Sequence, residues 1–188
     1  MGLIEVDRVA GPVASLVYPW VEGKVLNLST KSGSDKSGLR RFQEIPISDA
    51  VTALTRILDA HLSVVDAGFV AVDLYDGCFL YDFDTKSMCL IDLDEYRPGP
   101  FTLTEDRLPG STRYMVPEEF VRGSMIDRRT TVFNLGRTLE ILLDSSNGWR
   151  GSDEQARVAV RATAADPAER FDSVQQLVED WIAACSTG

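Results

Sequence analysis

The stretch from Val70 to Arg97, VAVDLYDGCFLYDFDTKSMCLIDLDEYR, constrains the fold more than any other. Two short apolar runs, CFLY and MCLI, flank the polar segment DFDTKS. Apolar runs of that length separated by turn-forming residues predict two antiparallel strands joined as a hairpin. Closing a hairpin brings its outer ends together. Asp73 and Asp92 lie just beyond those ends, each among apolar neighbours, so their carboxylates are expected to converge on one cleft. Two converging carboxylates can hold a metal ion and orient a hydroxyl. The plainer alternative is a surface hairpin with solvated acids.

The chain has 188 residues, 44% hydrophobic and 26% charged. That suits one globular domain with a core, or a lobe of a larger one. No apolar run approaches transmembrane length. The start, MGLIEVDRVAGPVASLVYPW, lacks the basic end and cleavage site of a signal peptide. Cys78, Cys89 and Cys185 form no metal or disulfide framework. A reduced, cytoplasmic setting is expected. A formal charge of -10 argues against nucleic acid and against anionic membranes as partners, because phosphate binding needs a basic face.

Taken in order, Ala14 to Val21 reads as a short strand ending near Pro19, which cannot donate to a ladder. Asn27 to Gly38 is polar and small and reads as a surface loop. Ser48 to Asp66 carries Val51, Leu54, Ile57, Leu58, Leu62 and Val65 at helical spacing, with Ser48 as N-cap and Gly68 as stop. His61 is the only histidine. It lies on this helix without a ligand cluster in register, so a structural or surface role is expected. Pro98 to Gly110 reads as an irregular loop. Arg113 to Arg122 predicts a short helix around PEEF, with Pro117 in its first turn. Thr131 to Leu143 reads as a buried helix, and Val158 to Thr163 as a helical segment. Asp166 to Arg170 reads as a turn into a last helix with Val174, Leu177, Val178 and Trp181 on one face. The fold class is therefore mainly α with a small β-hairpin element, an α+β arrangement.

These landmarks together resemble the C-terminal lobe of a protein kinase, from about Ser15 to Trp181. LVYPWVEG resembles the hinge strand, GFVAVDLYDGCFLYD the catalytic loop, and LIDLDEY the metal-binding triplet. GSTRYMVPEEF resembles the end of an activation segment, TVFNLG the start of the central buried helix, and DPAERFDSV the turn before the last helix. The wording is most similar to bacterial serine/threonine kinase-like proteins. The resemblance implies a tail at 1–13 and a lobe at 14–188. Within the lobe it implies a hinge strand at 14–23, a catalytic loop and metal-site hairpin at 70–97, an activation segment at 92–118 and a buried helix at 131–143. With only 1–13 before the hinge, an absent N-lobe is the expectation.

The resemblance also implies roles. Asp73 would orient the acceptor hydroxyl, and Asp92, helped by Asp94, would hold Mg2+ against the phosphates of ATP. Ser111 would shape the substrate site beside Asp73. The Pro19 carbonyl and the Val21 N–H would face the adenine edge, with Leu80 as the apolar floor. Glu118 and Arg170 would form a buried bracing ion pair.

Departures from the family pattern bear on activity. No glycine-rich phosphate loop or strand lysine precedes the hinge. The loop's usual histidine, arginine, lysine and asparagine are Ala71, Val72, Tyr75 and Cys78. Thr131 stands where the buried helix usually supplies an anchoring aspartate, and this loss is expected to go together with that of the histidine and arginine. From Asp66 to Arg97 there are eight acids and two bases. Phosphoryl transfer needs cations, so this chain alone is expected to turn over weakly or not at all. Lacking the loop arginine, it is not expected to use an activation-loop phosphate switch. Three functions remain open: an ATP-dependent serine/threonine kinase acting on a protein or small-molecule hydroxyl, a pseudokinase-like binding module using the groove around Pro98 to Phe120, and a small-molecule kinase. An uncovered hinge face, Leu16 to Val21 with Leu80, predicts a protein partner, self-association or aggregation.

Overall fold

The computed structural model describes residues 5–8, 14–17, 19–31 and 33–186, the first two stretches by their backbone pairing. The protein is α+β. Its core is built by three helices, α2 (Ile47–Asp66), α3 (Arg128–Leu143) and α5 (Val174–Ser186), with α4 (Asp153–Ala162) packed on α3 and α5. Leu54, Ile57 and Leu58 of α2 meet Leu135, Leu139 and Leu142 of α3 and Leu177 and Trp181 of α5, all fully buried. Each such side chain contributes about 1.5–3 kcal/mol relative to leaving it in water. The Trp181 indole donates to the Thr55 hydroxyl at 3.0 Å, so its one polar atom is satisfied.

The expected hairpin is present. Phe79–Asp82 (here β7) pairs antiparallel with Ser87–Leu90 (β8), and Lys24–Val25 (β3) adds to the other edge of β7. Asp82 closes the turn by accepting from the Asp84 and Thr85 N–H groups and the Thr85 hydroxyl. The long helix also lies where its spacing predicts, but Ser48 is not its N-cap. The helix starts one residue earlier, after Pro46, whose carbonyl accepts from the Asp49 and Ala50 N–H groups. Ser48 instead offers its carbonyl to the Thr52 hydroxyl inside the first turn. Gly68 does end the helix, at φ +80, with its N–H on the Val65 carbonyl. The Asp166 to Arg170 turn into α5 is also present, as a single 3-10 turn at Pro167–Glu169.

Several other expectations are corrected. Asn27 to Gly38 is not a loop: Leu28–Thr30 (β4) pairs with Gly33–Asp35 (β5), and α1 (Ser37–Phe42) follows. The strands are exposed, so no alternation marks them, whereas Leu39 and Phe42 of α1 are buried. The strand expected over Ala14 to Val21 ends at Val17 (β2) and pairs with Glu5–Arg8 (β1), inside the stretch read as a tail. The rest of that tail, 1–4 and 9–13, lies outside the described residues, as do Tyr18, Ser32 and 187–188. Pro98 to Gly110 is not wholly irregular. Arg97–Pro98 (β9) pairs with Phe69–Val70 (β6), and Phe101–Thr102 (β10) with Met125–Ile126 (β11). The helix expected over Arg113 to Arg122 is a single 3-10 turn, Pro117–Phe120.

Helix α3 begins before Thr131, because the Asp127 carboxylate accepts from the Arg129 N–H at 2.7 Å and caps it. Helix α4 likewise starts well before Val158, at a capping box of Ser152 and Gln155. With five small sheets among the described residues, the β content exceeds the single hairpin expected. No helix among the described residues is long and apolar enough to cross a membrane.

Candidate functional site

Asp73 follows β6 and Asp92 follows β8, and both adopt left-handed backbone, at φ 58 and φ 60. That conformation costs a side-chain-bearing residue roughly 1–2 kcal/mol and persists where the surroundings impose it. Here the surroundings are identifiable. The Ile91 N–H donates to the Cys78 carbonyl at 2.8 Å, tying the base of the hairpin one residue before Asp92. The Cys78 thiol donates to the Asp73 carbonyl at 3.3 Å. Asp73 and Ile91, the residue before Asp92, are thus held from the same residue. Burial, and then the charges of Asp92 and Glu95, raise the Asp73 carboxyl above its ordinary value. The Asp92 charge thus reaches the Asp73 carboxyl.

The loop before Asp73 is anchored from below. The Ala71 N–H donates to the Thr131 hydroxyl of α3 at 3.0 Å, in a buried setting. A neutral hydroxyl of α3 thus takes one of the loop's N–H groups. Burial pushes the Cys78 thiol up to about 12. It is a neutral donor to the backbone. The Tyr75 ring covers Gly77, where a Cβ would come within 2.3 Å of it. Burial first, and then the charges of Asp73, Asp92 and Asp76, raise the Tyr75 hydroxyl, which stays neutral.

The segment after Leu108 lies over Asp73. A Cβ at Gly110 would sit 3.6 Å from Asp73 Oδ1 and 3.2 Å from Met115, and Gly110 has φ +145. Ser111 is the next residue, and its carbonyl accepts from the Tyr114 and Met115 N–H groups. Glu118 and Arg170 meet as expected, at 2.6 and 3.1 Å, and Arg170 also donates to the Ala164, Ala165 and Arg129 carbonyls. Leu80 is half-buried in β7 under Gly23, where a Cβ would lie 2.3 Å from its Cδ2. Pro19 is exposed and Val21 half-buried a few residues before that contact. Trp20 between them is 85% exposed. Side chains from Leu16 to Tyr18 lie outside the described residues.

Asp92 and Asp94 are exposed. Among the described residues no group of three or more His, Cys, Asp or Glu side chains could hold a metal ion. The pair would supply one or two carboxylate ligands to Mg2+ and leave the remaining positions to phosphate and water, a donor set Mg2+ accepts. Arg97, Arg107 and Arg113 are engaged elsewhere, Arg107 on the Leu108 and Gly110 carbonyls. Arg97 reaches Glu95 at 3.6 Å and Glu105 at 3.3 Å, and Arg113 reaches Asp76. No described base pairs with Asp73, Asp92 or Asp94.

Two features escaped the sequence reading. Asp76 is not a solvated acid but fully buried. Its carboxylate accepts from Asn27 Nδ2 at 2.9 Å and from Arg113 Nη2 at 2.9 and 2.7 Å. It ties the loop after β3, the Asp73 loop and the segment over Asp73 together. Its partners lie 49 and 37 residues away, so no local pattern marks them. The second is a buried pair, His61 and Tyr96. His61 Nδ1 faces the Ile57 carbonyl and Nε2 the Tyr96 hydroxyl, each at 2.8 Å. Burial lowers His61 to about 4, so the ring is neutral. The carbonyl fixes the proton on Nδ1, and Tyr96 donates to Nε2. The pair pins the backbone just after Asp92 to α2, so His61 is structural, as expected.

No known protein-family model matches this chain, and no curated protein sequence matches it.

Proposed function

We propose that the protein binds Mg-ATP as a cytoplasmic protein of the kinase-like fold, C-lobe type, and is an ATP-dependent phosphotransferase of the serine/threonine kinase class, weak or inactive in this chain alone. The observation that carries this reading is the left-handed backbone shared by Asp73 and Asp92, with the Asp73 carbonyl and the Ile91 N–H, one residue before Asp92, both bonded to Cys78. The buried Thr131 anchor and the Glu118–Arg170 brace support it from outside the site. In this reading Asp92, with Asp94, holds Mg2+, which would offset charge on the transferring phosphate. Asp73 orients the hydroxyl of a protein or small-molecule acceptor and Ser111 borders that acceptor. The Pro19 carbonyl and the Val21 N–H meet the adenine edge, over Leu80.

Asp73 suits its role because its raised carboxyl pKa makes it a better proton acceptor once ionised. The weak-turnover part follows from charge. No described base pairs with the acids, so little among the described residues offsets the negative charge of ATP.

A second reading, a pseudokinase-like binding module, is favoured by one observation. The side chain at the second metal-ligand position, Cys78, is a neutral thiol turned onto the backbone. Calorimetric titration of Mg-ATP into the purified chain, with Asp92→Ala beside it, separates the two. Heat that disappears in Asp92→Ala supports the nucleotide site. No heat in either protein leaves the binding module.

A further inference from the structure

Beside the acids lies a groove of about 330 Å³ lined by Ser63, Val64, Ala67, Phe69, Leu93 and Tyr96. It is built from the last turn of α2, the start of β6 and the stretch after β8. Phe69 and Leu93 remain 38% and 40% exposed on it, which marks apolar surface without a cover among the described residues. Its floor is fixed, because the Tyr96 hydroxyl is held by His61. Its rim is acidic: Asp66, Asp92, Asp94 and Glu95 are all exposed next to lining residues. Of these only Glu95 has a described base within ion-pair distance, Arg97 at 3.6 Å.

We propose that this groove docks an amphipathic helical segment of a partner protein, with leucine-like side chains inserted between Phe69 and Leu93 and lysines or arginines lying along the Asp92–Glu95 rim. Three arguments choose this occupant. The lining is apolar apart from Ser63 and the engaged Tyr96 hydroxyl, so it offers few partners to the backbone of an extended peptide. A helix arrives with its backbone already bonded and needs only side-chain contacts. The unpaired acids favour a basic segment through complementary charge. They also disfavour a second copy of this chain, which carries a net charge of -10. A docked base would bring to Asp92 the positive charge it lacks here. The docking itself stands whether or not the site takes a nucleotide.

Fluorescence anisotropy of the full chain with a labelled Leu/Lys peptide, patterned as an amphipathic helix, tests this at physiological salt without nucleotide. Controls are a scrambled Leu/Lys peptide and a Leu/Glu peptide of the same pattern. The patterned Leu/Lys peptide is expected to bind, and Leu93→Ser and Phe69→Ser to weaken it by about tenfold or more. Asp94→Asn with Glu95→Gln should weaken it and flatten its salt dependence. Val160→Ser, at an exposed apolar position on α4, should leave it unchanged. Thermal melts check that each variant is folded. Equal binding of the scrambled or the Leu/Glu peptide would overturn the proposal, as would full binding by folded Leu93→Ser. Self-association of the chain that Leu93→Ser abolishes would assign the groove to a second copy and also overturn it.

Discussion

Glu119 is a buried carboxyl without a base beside it. It is 1% exposed and sits in the 3-10 turn after Val116, whose N–H it accepts at 2.8 Å. Its neighbour Glu118 spends its charge on Arg170. Burial is the main reason its pKa rises to about 7 from 4.5, and the charges of Glu118 and Asp73 add to it. Nearby, buried Asn134 Oδ1 has no partner among the described residues, while its Nδ2 donates to the Tyr114 carbonyl. The folded protein therefore binds the Glu119 proton more tightly than the unfolded chain does. Between about pH 4.5 and 7 the native state holds more protons, so stability falls as pH rises. A shift of that size corresponds to about 3 kcal/mol.

Glu119→Gln keeps an acceptor for the Val116 N–H and adds an amide donor without a charge. It is expected to match the wild type near pH 4.5 and to exceed it by about 3 kcal/mol at pH 8. That corresponds to a melting temperature about 6–12 °C higher at pH 8 for a chain of this size. Urea unfolding from pH 4 to 8 reads the difference directly. The difference curve is needed because His61 titrates the opposite way over much of the same window. Its pKa is lowered to about 4 from 6.5, so its contribution is lost as pH falls from about 6.5 to 4. A constant offset between the wild type and Glu119→Gln at every pH would refute the reasoning.

Arg113→Met should cost about 3–5 kcal/mol in urea unfolding, because it strands the buried Asp76 carboxylate with Asn27 as its remaining described partner. Thr131→Val keeps the shape but leaves the Ala71 N–H without its acceptor. The expected loss is about 1–3 kcal/mol, with faster hydrogen exchange at Ala71. Nitrogen NMR of His61 should show a neutral ring protonated on Nδ1 at pH 6, and a charged ring there would contradict the Tyr96 pairing.

The elements legible in the sequence are those whose signal is local and periodic. Leu54, Ile57 and Leu58 recur at helical spacing, and two apolar runs flank the Asp82 turn; both elements appear where expected. The β4–β5 hairpin was not legible because both strands are exposed, so neither carries an apolar alternation. The N-cap moved from Ser48 to Pro46 because a backbone carbonyl, not a side chain, receives the first N–H groups. In the site, hairpin closure alone was enough to put Asp73 and Asp92 beyond the ends of one hairpin, β7–β8. The retained hydroxyl anchor at Thr131 was hidden because Ala71 reaches it across 60 residues. Asp76 entered the sequence reading only as one of eight acids for the same reason: its burial depends on Asn27 and Arg113, and nothing near it in sequence names them.

The central claim is that Asp73 and Asp92 form one metal–nucleotide site with different roles. Electron paramagnetic resonance of Mn2+ with ATP reads it, referenced to Mn2+ and ATP without protein, because ATP alone takes up Mn2+ and the protein-bound complex gives a different spectrum. The spectrum is expected to change from that reference with wild-type protein, to change equally with Asp73→Asn, and to stay at the reference with Asp92→Ala. An equal change with Asp92→Ala, or no change with the wild type, would contradict the account.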